Sequence, residues 1–252
     1  MHIIRYRLER KTGYGIVERN RVFALEGRLF GAFRKGALVA NLSEVRLLAP
    51  VKPAKILALG KNYAAHAKEL SSDVPKEPLI FIKANSSLNG PGDPIIAPAW
   101  AGRVDHEGEL VAVIGKQASR VSEEDALDYV FGYTCGNDVT ARELQNKDGQ
   151  WARAKSFDTF ACIGPWIVTG GKPDGRKIEC RVNETVRQSS NTDMLIFGLP
   201  RIISHISRAI TLYPGDIIYT GTPEGIGPIK PGDVVDVEIQ GVGLLRNPVV
   251  GA

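Results

Sequence analysis

The chain has 252 residues, 43% of them apolar, and a net charge of +4, which is enough apolar material for a real core and too much for a disordered chain. The opening MHIIRYRLER carries charge too early for a secretory signal, and no apolar run reaches membrane-spanning length, so neither secretion nor a membrane helix is expected. Three cysteines (Cys135, Cys162 and Cys180) without a C-x-x-C pair argue against a disulfide framework or a thiolate zinc site, and for a reducing, cytoplasmic setting.

Residues 1–50 hold ten Lys/Arg against four Asp/Glu, and the remainder is slightly acidic. In I-I-R-Y-R-L-E-R the charges alternate with apolar residues, as on a solvated strand face, and nucleic-acid binding is not expected. Residues 1–48 read as short strands separated by Gly-containing turns. The two prolines of APVKPAK (49–55) mark a linker. The expected organisation is a small β-rich N-terminal domain over residues 1–50 and a larger domain over 51–252.

Beyond the linker, KILALG (55–60) reads as a buried strand, NYAAHAKEL (62–70) as a short helix and PLIFIKA (78–84) as a strand. NGPGDPIIAP (89–98) reads as a rigid loop. RVDHEGELVAVIG (103–115) follows as one strand, and a helix is expected at about 122–129, capped by Ser122 with Asp125 three residues on. In GYTCGNDVTARELQ (132–145) a strand ends at Gly136-Asn137 and a helix begins near Thr140. IECRVNETVRQ (178–188) predicts a hairpin turning at Asn183-Glu184. LPRIISHISRAITL (199–212) predicts an amphipathic helix with Pro200 in its first turn. YPGDIIYTG and KPGDVVDVEIQG each pair a Pro-Gly-Asp turn with an alternating strand. The pattern is α+β with strands predominating.

Several chemistries are missing. The chain has no G-x-S-x-G, no Walker A run and no G-x-G-x-x-G after a strand. His106-Glu107 begins like H-E-x-x-H, but position 110 is leucine. Carboxylates remain. On a strand, Asp105, Glu107 and Glu109 share one face. A solvated, charged edge strand would carry the same pattern. The alternative is a hard cation, because the acidic half runs directly into V-A-V-I-G, and buried like charges need a proton or a cation between them. Asp138, at the junction of a strand and a helix, is the best third ligand, although a capping residue would sit there too. Carboxylates without histidine favour Mg²⁺ or Mn²⁺, with Ca²⁺ a further option.

Taken together, these stretches resemble the fumarylacetoacetate hydrolase family over most of residues 55–250. DHEGELVAVIG is similar to its D-x-E-x-E-L strand, NDVTARELQ to its ligand-aspartate segment, KSFDTF (155–160) to its lysine motif, and TGTPEGIGPIKPGD (220–233) to its C-terminal substrate loop. Residues 1–50 resemble the small domain that some members carry. The resemblance implies a mixed β-sheet roll and a homodimer. It also implies Glu107, Glu109 and Asp138 as metal ligands, with Asp105 reduced to a supporting acid and His106 pointing away from the metal.

Arg142 and Gln145 follow the ligand aspartate as substrate-binding residues. Lys155 is implied as a catalytic cation near the metal, and Thr222 as a donor to a substrate carboxylate. His66 and Glu69, three apart on a helix, are implied as a lid pair that activates water. The activity so implied is metal-dependent C–C hydrolysis or isomerisation of a 2-oxo or 2-enol (di)acid, of the acylpyruvate hydrolase or 2-hydroxyhepta-2,4-diene-1,7-dioate isomerase type, in aromatic-acid catabolism. Oxaloacetate-type decarboxylation on the same site, and a catalytically silent metal- or ligand-binding member, are the alternatives. A glycosidase using Glu107 and Glu109 is disfavoured, because glutamates adjacent on one strand cannot flank a scissile bond.

Overall fold

The computed structural model describes all 252 residues. Five strands open the chain: β1 (His2–Leu8), β2 (Lys11–Glu18), β3 (Arg21–Gly27), β4 (Phe33–Asn41) and β5 (Arg46–Leu48). The β2–β3 turn uses Arg19 and Asn20, both left-handed with φ of 49° and 62°, and not the glycine expected. Next come β6 (Ile56–Gly60), α1 (Ala64–Glu69), β7 (Leu79–Lys83), β8 (Leu88–Asn89) and β9 (Ile95–Ala97). The acidic segment forms β10 (Val104–His106) and β11 (Gly108–Ile114), followed by β12 (Val130–Asp138) and β13 (Thr140–Ala141). Helices α2 (Arg142–Asp148) and α3 (Ala152–Lys155) lead into β14 (Ala161–Thr169), β15 (Lys177–Val182) and β16 (Thr185–Asn191). The chain ends with α4 (Leu199–Ala209), β17 (Ile217–Tyr219), β18 (Gly227–Pro228), β19 (Val234–Ile239) and β20 (Gly243–Gly251). Strands dominate, and no helix is long and apolar enough to cross a membrane.

One sheet of twelve strands runs β4-β3-β2-β1-β14-β12-β11-β17-β6-β7, with β5 on β1 and β8 on β14. The N-terminal strands therefore continue the main sheet through the β1–β14 pairing. A five-stranded sheet (β16-β15-β19-β20-β9) and a three-stranded one (β13-β10-β18) complete the fold. The middle of the main sheet is covered on both faces. Leu57, Leu59, Leu110, Ala112 and Ile114 pack with α4 and the five-stranded sheet, while Ile56, Ala58, Val111, Val113 and Tyr219 pack on the other side. Double burial explains why β6 and β11 read as nearly unbroken apolar runs.

Local signals held where the partners are near in sequence. The β15–β16 hairpin turns at Asn183-Glu184, both left-handed with φ of 50° and 67°, as a two-residue hairpin requires. Helix α4 takes Pro200 in its first turn and buries Leu199, Ile202, Ile203 and Ile206 on one face.

Four expectations are corrected. Around 122–129 only a short 3₁₀ turn forms, over Ala126–Tyr129. Ser122 does accept the Asp125 N–H, but Ala126 is the turn's single buried residue, so there is no apolar face to support an α-helix before β12 begins. The helix expected near Thr140 begins at Arg142, because Thr140 and Ala141 pair with β10. Part of the presumed loop 89–98 is β9, a strand parallel to β20. Finally, 103–115 is not one strand. It breaks at Glu107, where the Glu107 N–H donates to Asn137 Oδ1 and the Gly108 N–H donates to Gln188 Oε1, at 2.9 Å each. Asp105 thereby belongs to the three-stranded sheet and leaves the face that carries Glu109.

Candidate active site

The break at Glu107 is what gathers the acids. Strands β11 and β12 run antiparallel with Gly108 opposite Asn137 and Glu109 opposite Gly136, so the next position out faces Glu107 to Asp138. Gly136 allows this close packing, since a Cβ there would lie 2.6 Å from the Tyr219 ring. One carboxylate oxygen from each of Glu107, Glu109 and Asp138 lies within 4.8 Å of the others, and all three residues are buried. Asp105 is not among them. It accepts from Arg103 Nε at 2.7 Å and from Arg142 Nε at 2.8 Å, and so holds Arg142 in place.

Three cations surround the acids. Lys155, delivered by α3, donates to Glu107 Oε2 and to Asp138 Oδ2 at 2.7 Å each. Arg142, at the start of α2, donates to Glu107 Oε1 at 2.5 Å and to Gln145 Oε1, one turn on, at 2.6 Å. Lys83, at the end of β7, pairs with Asp138 and donates to the Phe160 carbonyl at 2.9 Å. Burial opposes the Glu107 carboxylate, but Lys155, Arg142 and His66 outweigh it and hold the group well below the ordinary range. Burial likewise opposes the Lys155 ammonium, yet Asp138 and Glu107 raise it. For Lys83 burial wins, and its affinity for a proton falls.

Glu109 differs from the other two acids. Its side chain has no cation, only the Gly221 N–H at 2.6 Å. Burial, then the charges of Asp138 and Glu107, push its carboxyl well above the ordinary range. A buried carboxylate facing two others must be protonated or must share a cation. This all-oxygen donor set suits Mg²⁺ or Mn²⁺ better than a soft metal, and so fits a divalent hard cation.

Of the three acids, Glu107 lines a cavity of about 540 Å³, together with Arg142, Gln145, Lys155, His66, Glu69 and Thr222. Seven of the nine residues predicted for the site thus share one cavity, and Glu109 and Asp138 join them through the carboxylate cluster with Glu107. His66 Nδ1 lies 3.1 Å from Glu69 Oε2, and Glu69 Oε1 accepts the Gly225 N–H at 3.1 Å. With Nδ1 turned to this carboxylate, Nε2 is the ring nitrogen left for the cavity that His66 lines. Helix α1 is held from its start by Asn62, whose amide donates to the carbonyls of Phe197 and Thr220 and accepts the Phe197 N–H.

Thr222 differs from expectation in one respect. Its hydroxyl donates to the Gly108 carbonyl at 2.9 Å and accepts from Gln188 Nε2 at 2.7 Å, so it is committed to the protein. His106 turns from the acids toward Gln188 and Cys180, with Nδ1 at 3.2 Å from Gln188 Oε1.

Two contributors carried little sequence signal. Lys83 ends an apolar strand, and a lone cation on LIFIK was the available hint. Gln188 had none. A bulge opposite Cys180 and Arg181 turns it inward from an otherwise exposed strand. Its amide then accepts from Gly108 and donates to Thr222 Oγ1 and the Pro223 carbonyl, tying the break at Glu107 to the 220–225 loop.

Comparison with known proteins adds to this geometry. Residues 55–250 match the family described as fumarylacetoacetate (FAA) hydrolase C-terminal, and residues 1–50 match the Rv2993c-like N-terminal family. Among curated relatives, protein Rv2993c of Mycobacterium tuberculosis is 49% identical over 83% of this chain and 80% of its own. The mitochondrial oxaloacetate tautomerase Fahd2a of Rattus norvegicus is 40% identical over 96% of this chain and 86% of its own.

Solved structures that cover all of this chain include 5-carboxymethyl-2-hydroxymuconate delta-isomerase from Mycobacterium smegmatis, with 42% identity, a TM-score of 0.94 and 100% of that chain covered. The 2-hydroxyhepta-2,4-diene-1,7-dioate isomerase from Mycobacterium marinum has 40% identity, a TM-score of 0.92 and 98% of its chain covered. The maleylpyruvate hydrolase from Sphingobium sp. SYK-6 has 33% identity, a TM-score of 0.84 and 100% of its chain covered.

Proposed function

The chain belongs to the fumarylacetoacetate hydrolase family, and from that premise we propose that it is a divalent-metal-dependent enzyme cleaving or isomerising 2-oxo or 2-enol acids through an enolate. One observation carries this reading: Glu107, one of three buried carboxylates within 4.8 Å of one another, lines the same cavity as the His66–Glu69 pair. Glu107, Glu109 and Asp138 would hold Mg²⁺ or Mn²⁺, which when bound would supply a Lewis acid for the carboxylate and 2-oxo oxygens of the substrate.

The chain's own groups do the rest. A guanidinium has five N–H donors, and Arg142 spends three within the protein, leaving two for a substrate carboxylate. Lys155 has one N–H beyond its two carboxylate bonds, and this donor would face the charge that develops on the 2-oxygen. In hydrolysis, His66 Nε2 takes a proton from a water whose oxygen bonds to the distal carbonyl carbon, while Glu69 steadies the imidazolium. The C–C bond then breaks toward the 2-oxo group, its electron pair becoming the enolate, and a proton returns to carbon. Without water attack, the same groups move a proton between carbon and oxygen, giving isomerisation or keto-enol exchange.

The tautomerase name of the rat relative supports the second outcome, and the maleylpyruvate hydrolase supports the first. A homodimer and a cytoplasmic setting belong to the same reading. The exposed apolar Leu79 and Ile82 on edge strand β7 support the dimer, and three free, buried cysteines support the setting. The test is a screen of acylpyruvates, oxaloacetate and hydroxymuconate-type diacids with Mg²⁺, repeated after chelation and after Mn²⁺ add-back. Turnover that disappears on chelation and returns with metal is expected. Turnover indifferent to chelation would overturn the metal-dependent mechanism.

A further inference from the structure

Two histidines are buried, and the proposed reaction uses only His66. The other, His106, is held by Gln188. Gln188 Oε1 accepts the Gly108 N–H and its Nε2 donates to the Pro223 carbonyl, so the amide cannot be turned the other way round. His106 Nδ1 lies 3.2 Å from that Oε1 and must be its donor, since a bare Nδ1 would set two lone pairs face to face. A neutral imidazole has one N–H, and Nε2 is then left as an acceptor. It is buried and has no hydrogen-bond partner in the protein.

The ladder between β10 and β18 sets Gly227 opposite His106. A Cβ at Gly227 would lie 3.7 Å from Nε2, so the missing side chain leaves the lone pair uncovered. Both residues line a cavity of about 420 Å³, and so does Arg187, an exposed cation that forms no ion pair. This cavity is not the one where the reaction is placed, but Ile226 lines both. Gly225, beside it, lines the second cavity and gives its N–H to Glu69.

We infer that this second cavity binds a small oxyanion that still carries an O–H, which donates to His106 Nε2 while Arg187 meets the charge. Buried acceptors are rarely left without a donor, and a free guanidinium in the same wall selects an anion over a metal cation. Hydrogen phosphate and 2-hydroxy carboxylates share this chemistry. Sulfate and plain carboxylates carry the charge without the O–H. The bound anion would rest against the loop that anchors Glu69, which makes this a site distinct from the substrate's and in contact with its wall.

The test is titration of the Mg²⁺-loaded chain, ¹⁵N-labelled at its histidines, with phosphate, sulfate, lactate or propionate near pH 8, where an ordinary imidazole is neutral. Phosphate or lactate should move the His106 Nε2 resonance upfield, and the one that does so names the source of the ligand. Sulfate and propionate should bind at least about 10-fold more weakly than their O–H counterparts, the loss of one hydrogen bond to a charged group. Gly227→Ala sets a methyl at ordinary contact distance from Nε2 and should abolish the response, while Arg187→Gln should weaken it about 10-fold. Sulfate binding as tightly as phosphate, a response that survives Gly227→Ala, or no change at His106 with any of the four anions would overturn the assignment.

Discussion

Glu107, Glu109 and Asp138 are placed by two strands at the centre of the main sheet, where every residue from Gly108 to Ile114 is buried. His66 and Glu69, by contrast, sit on a six-residue helix whose only buried residues are His66 and Ala67, with Glu69 tied to the facing loop by a single 3.1 Å hydrogen bond. An isolated helix that short is unstable, so its position depends on anchors at its ends: Asn62 and the Tyr63–Leu195 bridge before it, and Ser72 on the Ala67 carbonyl after it. The acid floor is built to resist charge repulsion without moving. The histidine side is held by fewer contacts. On the proposed mechanism, a site so divided would bind its metal without the histidine and would lose hydrolysis without losing metal.

Substitutions on either side should separate these roles. His66→Ala should have the largest selective effect, lowering C–C hydrolysis by about 10²–10⁴-fold, as expected for loss of a general base. Metal affinity and deuterium exchange at the carbon next to the 2-oxo group should be nearly unchanged, as read by Mn²⁺ titration and NMR. Equal losses in hydrolysis and exchange would remove His66 from the water-activating role.

Lys155→Met should lower kcat for hydrolysis and exchange alike by about 10²–10³-fold, the usual effect of removing one preorganised donor. It should also destabilise the metal-free protein by about 3–5 kcal/mol, because Glu107 and Asp138 lose a buried partner. Unchanged exchange kinetics would count against its electrostatic role.

Gln188→Met tests the tie between the two sides. It keeps the volume but leaves the Gly108 N–H without its acceptor and the Thr222 hydroxyl and the Pro223 carbonyl without a shared donor. Metal affinity should fall about 10–100-fold, as for other partners that orient ligands, while Gln188→Glu, which keeps the acceptor, should lose less. A stability loss with unchanged metal affinity would reduce Gln188 to a packing residue.

The smallest effect concerns pH. The carboxyl of Glu109 is raised in the folded, metal-free state, so the folded form binds its proton more tightly than the unfolded form does. That contribution to stability is full below the ordinary carboxylate range and is lost as pH rises through the folded value. In EDTA, wild type and Glu109→Gln should therefore unfold at similar urea concentrations near pH 4.5, and the variant should become the more stable as pH approaches 8. A gap that does not widen with pH would mean Glu109 carries no such strain.

How much of this was legible in the sequence follows from where the partners lie. The Asn183-Glu184 hairpin, the Pro200 helix and the apolar runs of β6 and β11 depend on neighbours or on uniform burial, and were readable. The break at Glu107 was not, because its hydrogen-bond partners Asn137 and Gln188 arrive from 30 and 80 residues away. Strand alternation alone grouped Asp105 with the two glutamates, and the real geometry exchanges it for Asp138 across a β-ladder. The same distance hid Lys83, 55 residues from the aspartate it meets. At Ser122 the capping signal was real, but nothing apolar followed to sustain a helix.

The proposed chemistry requires one divalent cation held by Glu107, Glu109 and Asp138. Titration of the metal-stripped chain with Mn²⁺, followed by electron paramagnetic resonance, tests it most directly. The wild-type and His66→Ala chains should each bind one Mn²⁺ per chain, and Glu109→Gln should bind it far more weakly or not at all. Stoichiometric Mn²⁺ binding by Glu109→Gln with wild-type affinity would contradict the assignment.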